Sequence, residues 1–93
     1  MNASQIKDEV YAAIRPAAAH NAPGRCGDTL IASLHTEIGT RFTRDEIEAA
    51  LQALRAEGRV YLYQESRQSD LTAVDHLLAV RVGLQDRHWV QVL

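Results

Sequence analysis

The stretch Phe42-Thr43-Arg44-Asp45-Glu46-Ile47 constrains the chain more than any other. Thr43 and Glu46 have the spacing of a capping box, in which a hydroxyl and a carboxylate each accept one of the amide hydrogens that a helix start leaves unpaired. Phe42 stands just before the cap and Ile47 four residues after it, the positions of a hydrophobic staple. Ile47, Ala50, Leu51 and Leu54 then form one apolar stripe, and Gly58 ends the run. The pattern predicts a helix over Arg44 to Glu57 that buries one side and presents the other.

Two further helices are expected before it. Ile6, Val10 and Ile14 recur at helical spacing with Ala13 and Ala17 beside them, so a helix runs from about Ser4 to Ala19, capped by Asn2 or Ser4. Pro16 removes an amide donor and crowds the preceding turn, so this helix either stops near Arg15 or kinks and continues. His20 to Gly27, with Asn21, Pro23, Gly24 and Gly27, reads as a loop. Asp28 is placed to cap a short helix from Thr29 to Ile38, with Leu30, Ile31, Leu34 and Ile38 inward and Gly39 at its end.

Beyond Gly58 the period drops to two. Val60 and Leu62 alternate with Tyr61 and Tyr63; alternation returns over Leu77 to Val82 and over His88 to Leu93, with a turn bounded by Gly83 and Asp86 between them. These three stretches are expected to form a three-stranded antiparallel sheet. Leu71, Val74, Leu77 and Leu78 fit a helix as well, but a loop leading into a strand is the favoured reading. The whole is an α+β chain, three helices followed by a small sheet, and its 93 residues suffice for one domain, 1–93.

In this order of elements, the stretch from Phe42 to Val60 resembles the winged helix-turn-helix superfamily, whose members carry a capped third helix with paired leucines and then a glycine leading into a strand. The resemblance covers roughly Ile6 to Val92. It implies a winged-helix fold, with Thr29 to Ile38 as the first helix of the turn motif, Arg44 to Glu57 as the recognition helix, and a wing whose tip lies within Glu65 to Thr72. It implies binding of double-stranded DNA, as a small dimeric transcriptional regulator. Arg44, Gln52 and Arg55 would then meet base edges or phosphate in the major groove, and Arg41, Arg59 and Arg67 would be phosphate or wing contacts.

The residues themselves leave alternatives open. Asp45 and Glu48 would oppose a polyanion, although acids in a first helical turn are also ordinary dipole chemistry. The arginines are equally readable as a solvated surface set. Tyr61, Tyr63 and Trp89, if they share a sheet face, would suit a protein partner, so the alternative is a winged-helix interaction module without DNA binding.

Composition narrows the remaining classes. Twelve acids against ten bases give a net charge of −2, which excludes a strongly basic histone-like binder but not a local basic patch. The single cysteine, Cys26, excludes an intrachain disulfide and a multi-cysteine zinc site, and fits a cytoplasmic setting. The set His20, Cys26 and Asp28 matches no tight metal spacing, so no metal or other cofactor is expected. Asp75 beside His76, or Asp86 beside His88, would be an acid–base pair only in a pocket, and an enzyme is not expected. Neither a secretory leader nor a membrane span is visible.

Overall fold

The computed structural model describes residues 1–22 and 28–93. It is an α+β fold in which four α-helices accompany small antiparallel sheets. Helix α1 spans Ala3–Ala17, strand β1 Thr29–Leu30, α2 Ile31–Ile38 and α3 Arg44–Ala56; then follow β2 Val60–Tyr63, α4 Ala73–Leu77, β3 Val80–Val82, β4 Gln85–Arg87 and β5 Trp89–Val92.

Helix α3 forms as its sequence dictates. Glu46 N–H donates to Thr43 Oγ1 at 3.1 Å, and Thr43 N–H donates to Glu46 Oε1 at 2.8 Å. Ile47, Leu51 and Leu54 are buried with Val10 and Ile14 of α1, Leu34 of α2 and Leu62 of the sheet. Removing each such side chain from water contributes about 1.5–3 kcal/mol, so this stripe fixes which side of α3 faces outward. Phe42 packs half-buried against the same core. Gly58 adopts φ 74°, a left-handed conformation that lets the chain leave α3 and enter β2.

Helix α1 is capped by Asn2: its Oδ1 accepts from the Gln5 N–H and its backbone N–H donates to Gln5 Oε1, each at 2.9 Å. The helix passes through Pro16 and ends one residue later at Ala17, followed by a 3₁₀ turn over Ala18–His20. It therefore stops short of the Ala19 expected from its alanine-rich end.

The sheet corrects the sequence reading in three places. Thr29 and Leu30 are not the first turn of a helix; they pair with Val90 and Trp89. The Thr29 hydroxyl donates to the Ile14 carbonyl at 2.8 Å, and the Ile31 amide, which would otherwise be an unpaired helix-start donor, donates to the His88 carbonyl at 2.9 Å. Strand pairing thus supersedes the cap expected of Asp28, which instead accepts from the Tyr63 hydroxyl. Asn21 steadies this junction: its Oδ1 accepts from the Leu30 amide and the Ser33 hydroxyl.

Second, Leu77 to Val82 is not one strand. Leu77 closes α4, whose Thr72 and Asp75 form another capping box, so the helical reading of Leu71 to Leu78 is the one realised. Third, the three-stranded sheet has the order β1-β5-β2, all antiparallel, while β3 pairs with β4 in a separate hairpin that turns at Gly83–Leu84. Asp86, expected to bound that turn, lies within β4. Glu65 to Thr72, expected to hold a hairpin tip, contains instead a 3₁₀ turn over Gln68–Asp70. The loop expected at His20 to Gly27 falls largely outside the described residues, and Cys26 lies wholly outside them.

Candidate nucleic-acid interface

The outward side of α3 follows from the burial of its leucines. Arg44, Asp45, Ala49, Arg55 and Ala56 are exposed, and Glu48 and Gln52 half-exposed. Arg44 and Arg55 are eleven residues apart, about three helical turns, so they lie nearly on one line and about 16 Å apart along the axis. Neither has an ion-pair partner among the described residues. The same holds for exposed Arg67, whose backbone N–H donates to Glu65 Oε1 at 3.0 Å.

Gln52 joins this flank of α3 to the β3–β4 hairpin. Its Nε2 donates to the Arg81 carbonyl at 2.8 Å, so one amide hydrogen is already engaged and the hairpin is held beside the helix. Arg81 is exposed there, with Nη1 3.4 Å from Asp86 Oδ1. No sequence pattern marked Arg81, because its place beside α3 depends on a long-range hydrogen bond.

The other two arginines face α1. The Arg59 guanidinium lies 4.2 Å from the Tyr11 ring centroid, with Nη1 at 3.5 Å from Glu57 and 3.9 Å from Asp8. Arg41 donates from Nε to the Ile38 carbonyl at 3.4 Å and has Nη1 3.9 Å from Glu9. Lys7 meets Glu57 at 2.5 Å and holds that carboxyl below its ordinary pKa. The six expected nucleic-acid residues therefore divide: Arg44, Gln52 and Arg55 share the outward flank of α3, Arg67 stands in the segment after β2, and Arg41 and Arg59 are tied to α1. Between α1 and α3, Ile6 and Lys7 with Glu46, Ala49 and Ala53 line a cavity of about 280 Å³.

The acids on α3 have distinct tasks. Glu46 closes the cap. Asp45, exposed in the first turn, complements the helix dipole. His35 of α2 is lowered from its ordinary pKa, first by burial and then by the nearby Arg44 charge.

The aromatic set does share a sheet face. Tyr61 and Tyr63 stack with centroids 5.6 Å apart, and Tyr63 and Trp89 stack at 6.1 Å with planes 7° apart. Trp89 is only 6 % exposed, however, and its Nε1 donates to Glu65 Oε2 at 2.9 Å. The Tyr63 hydroxyl donates to Asp28, and burial followed by that carboxylate pushes the phenol well above its ordinary pKa. Tyr61, at 51 %, is the exposed member of the three.

The histidine–acid pairs considered from sequence have other roles. Asp75 caps α4, and Asp86 faces Arg81. His20 pairs with Glu37 at 3.0 Å. Among the described residues no three His, Cys, Asp or Glu side chains are grouped to hold a metal ion, and no helix is long and apolar enough to cross a membrane. Compared with known protein families, curated proteins and solved structures, the chain has no significant match.

Proposed function

We propose that this chain is a winged-helix protein that binds double-stranded DNA, with α3 entering the major groove and the protein acting in the cytoplasm as a small dimeric regulator. The observation that carries the reading is the outward flank of α3, where Arg44 and Arg55 lie on one line without ion-pair partners among the described residues, beside a hairpin docked through Gln52. The order α1-β1-α2-α3-β2-β5, with β5 between β1 and β2, supports the fold assignment. A major groove about 12 Å wide accepts a helix of this kind. Two phosphate-reaching arginines per copy give a weak footprint, and a two-fold dimer doubles it.

The alternative, a sheet face that docks a protein partner, has less support. Trp89 is buried, and the polar atoms of Trp89 and Tyr63 are engaged within the fold. Selection from a random duplex library at moderate salt, with solution mass measured in parallel, tests the proposal. An enriched, two-fold related site bound by a dimer is the expected result. Absence of any enriched site, with duplex affinity insensitive to salt, would overturn it and favour the interaction module.

A further inference from the structure

Hydrogen bonds to α3, to β2 and to the segment after β2 hold the β3–β4 hairpin in place. Gln52 of α3 donates to the Arg81 carbonyl, and Gln85 Nε2 donates to Gln64 Oε1, each at 2.8 Å. At the root of the hairpin Arg87 crosses to β2 and donates from Nη1 to the Leu62 carbonyl at 2.6 Å. Val80, its cross-strand neighbour, is buried in the core. The Arg87 Nε is buried and has no hydrogen-bond partner among the described residues. An unmet buried donor costs stability, and here it accompanies a hairpin that is fixed in position.

The tip is unlike the root. Val82 pairs with Gln85, so Gly83 and Leu84 alone form the loop. Gly83, at φ 63°, supplies the left-handed backbone that so short a loop requires. Leu84 stands out at 93 % exposure, the most exposed large apolar side chain among the described residues. Single apolar side chains are common on protein surfaces, and the mounting of this one is what sets it apart. It occupies a narrow tip between Gly83 and exposed Gln85, on a ribbon pinned beside the outward flank of α3. A protein partner or a second copy seats a broad apolar patch, which one leucine between two exposed neighbours does not offer. A gap between two stacked base pairs accepts one such side chain.

We propose that Leu84 is an apolar wedge that enters the minor groove next to the stretch read by α3, parts one base step and bends the duplex; the inference rests on the DNA-binding reading of α3. From Arg81 to Leu84 is three residues, about 10 Å along a strand, so the tip reaches past the phosphates that divide the two grooves. A minor groove about 6 Å wide admits the tip and not the whole ribbon. Exposed Arg81 meets the phosphates at the groove edge and also faces Asp86, the acid nearest the tip on β4. Pinning matters because a wedge must push against something: a loose hairpin would yield before the bases did. Pyrimidine–purine steps part most easily, so sequence is selected at a step where no hydrogen bond reads a base edge.

The probe is a duplex recovered by selection on the whole chain, with the step flanking the α3 site made TA or AA, 2-aminopurine at that step and a dye at each end. With the TA duplex the fluorescence of 2-aminopurine should rise on binding and the ends should draw together. The wild type should prefer TA over AA by about tenfold. Leu84→Ala, a change at an exposed turn, should bind the TA duplex about tenfold more weakly, lose both signals and the TA preference, and keep the salt slope of the wild type. Leu84→Met should restore the signals. Binding by the wild type without the fluorescence rise, or a rise that survives in Leu84→Ala, overturns the wedge and leaves α3 untouched. A lower solution mass for Leu84→Ala with unchanged unstacking assigns the leucine to a protein contact and overturns it as well. Duplex binding that ignores salt and is indifferent to Arg55→Ala refutes the α3 reading itself, a result that the Leu84 variants do not produce.

Discussion

Replacing Leu51 with alanine tests the orientation of α3, on which the proposed interface depends. Leu51 is 0 % exposed, in a core shared with α1, α2 and the sheet. The substitution removes three carbons from that core, about 2.4 kcal/mol at roughly 0.8 kcal/mol per methylene-sized group. The space left behind adds to this, since neighbours relax only partly, and the expected loss is about 3–4 kcal/mol. A 93-residue domain has roughly 5–14 kcal/mol in total, so the variant should be near the edge of folding. At about 4–8 °C per kcal/mol, its melting temperature should fall by some 12–30 °C. Urea denaturation followed by far-ultraviolet circular dichroism and by the fluorescence of buried Trp89 gives the value. Arg44→Ala on the outward side is the control and should change stability by less than about 0.5 kcal/mol. A loss under about 1 kcal/mol for Leu51→Ala, or equal losses for both variants, would show that the leucine stripe does not hold α3 and would remove the basis for its outward flank.

Further expectations concern binding, acid response and local geometry. Arg44→Ala and Arg55→Ala should each weaken duplex binding and lower the magnitude of the salt slope by about 1, whereas Arg59→Ala, on the α1 side, should leave that slope unchanged in the same titration. His35 and His88 both have lowered pKa values in the fold, so the unfolded chain binds protons first; stability should be full above about pH 6.5 and decline below it, with His35→Gln flattening part of the decline in urea midpoints measured from pH 8 to pH 5. Gly58→Ala meets no atom within 4 Å of the added carbon, so its cost should be the backbone term alone, about 1–2 kcal/mol by denaturation at the observed φ of 74°. Thr72→Ala removes the cap of α4 and should raise amide exchange over residues 73–77 without moving the global melting temperature, because α4 buries no residue.

The sequence made the helices legible wherever their ends are encoded locally. Thr43, Glu46 and Gly58 act on neighbours three or four residues away, so α3 could be read with its bounds nearly intact. Beginning α2 at Thr29 failed because strand pairing with Val90 and Trp89, some sixty residues on, supersedes any local cap. Leu77 to Val82 failed for the opposite reason: two local patterns overlap there, and the Thr72–Asp75 box decides in favour of helix before the alternating residues begin. For the arginines, spacing along α3 placed Arg44 and Arg55 together, but Arg59 is drawn to Tyr11 and Asp8 by tertiary packing that no periodicity records. Alternation put Tyr61 with Tyr63, but that Trp89 joins their face depends on the register of β5 against β2, which sets Trp89 opposite Tyr63.

Strand β5 is synthesised well after both β1 and β2, yet it lies between them. While the polypeptide is being synthesised, those two strands have no shared neighbour to bridge them, and the apolar undersides of the helices are left partly uncovered. The sheet closes only when Trp89 to Val92 has emerged from the ribosome and slots between partners made much earlier. Ribosome-bound intermediates arrested ahead of that point would therefore be sticky and protease-sensitive, and the emergence of β5 decides when the nascent domain becomes safe from aggregation.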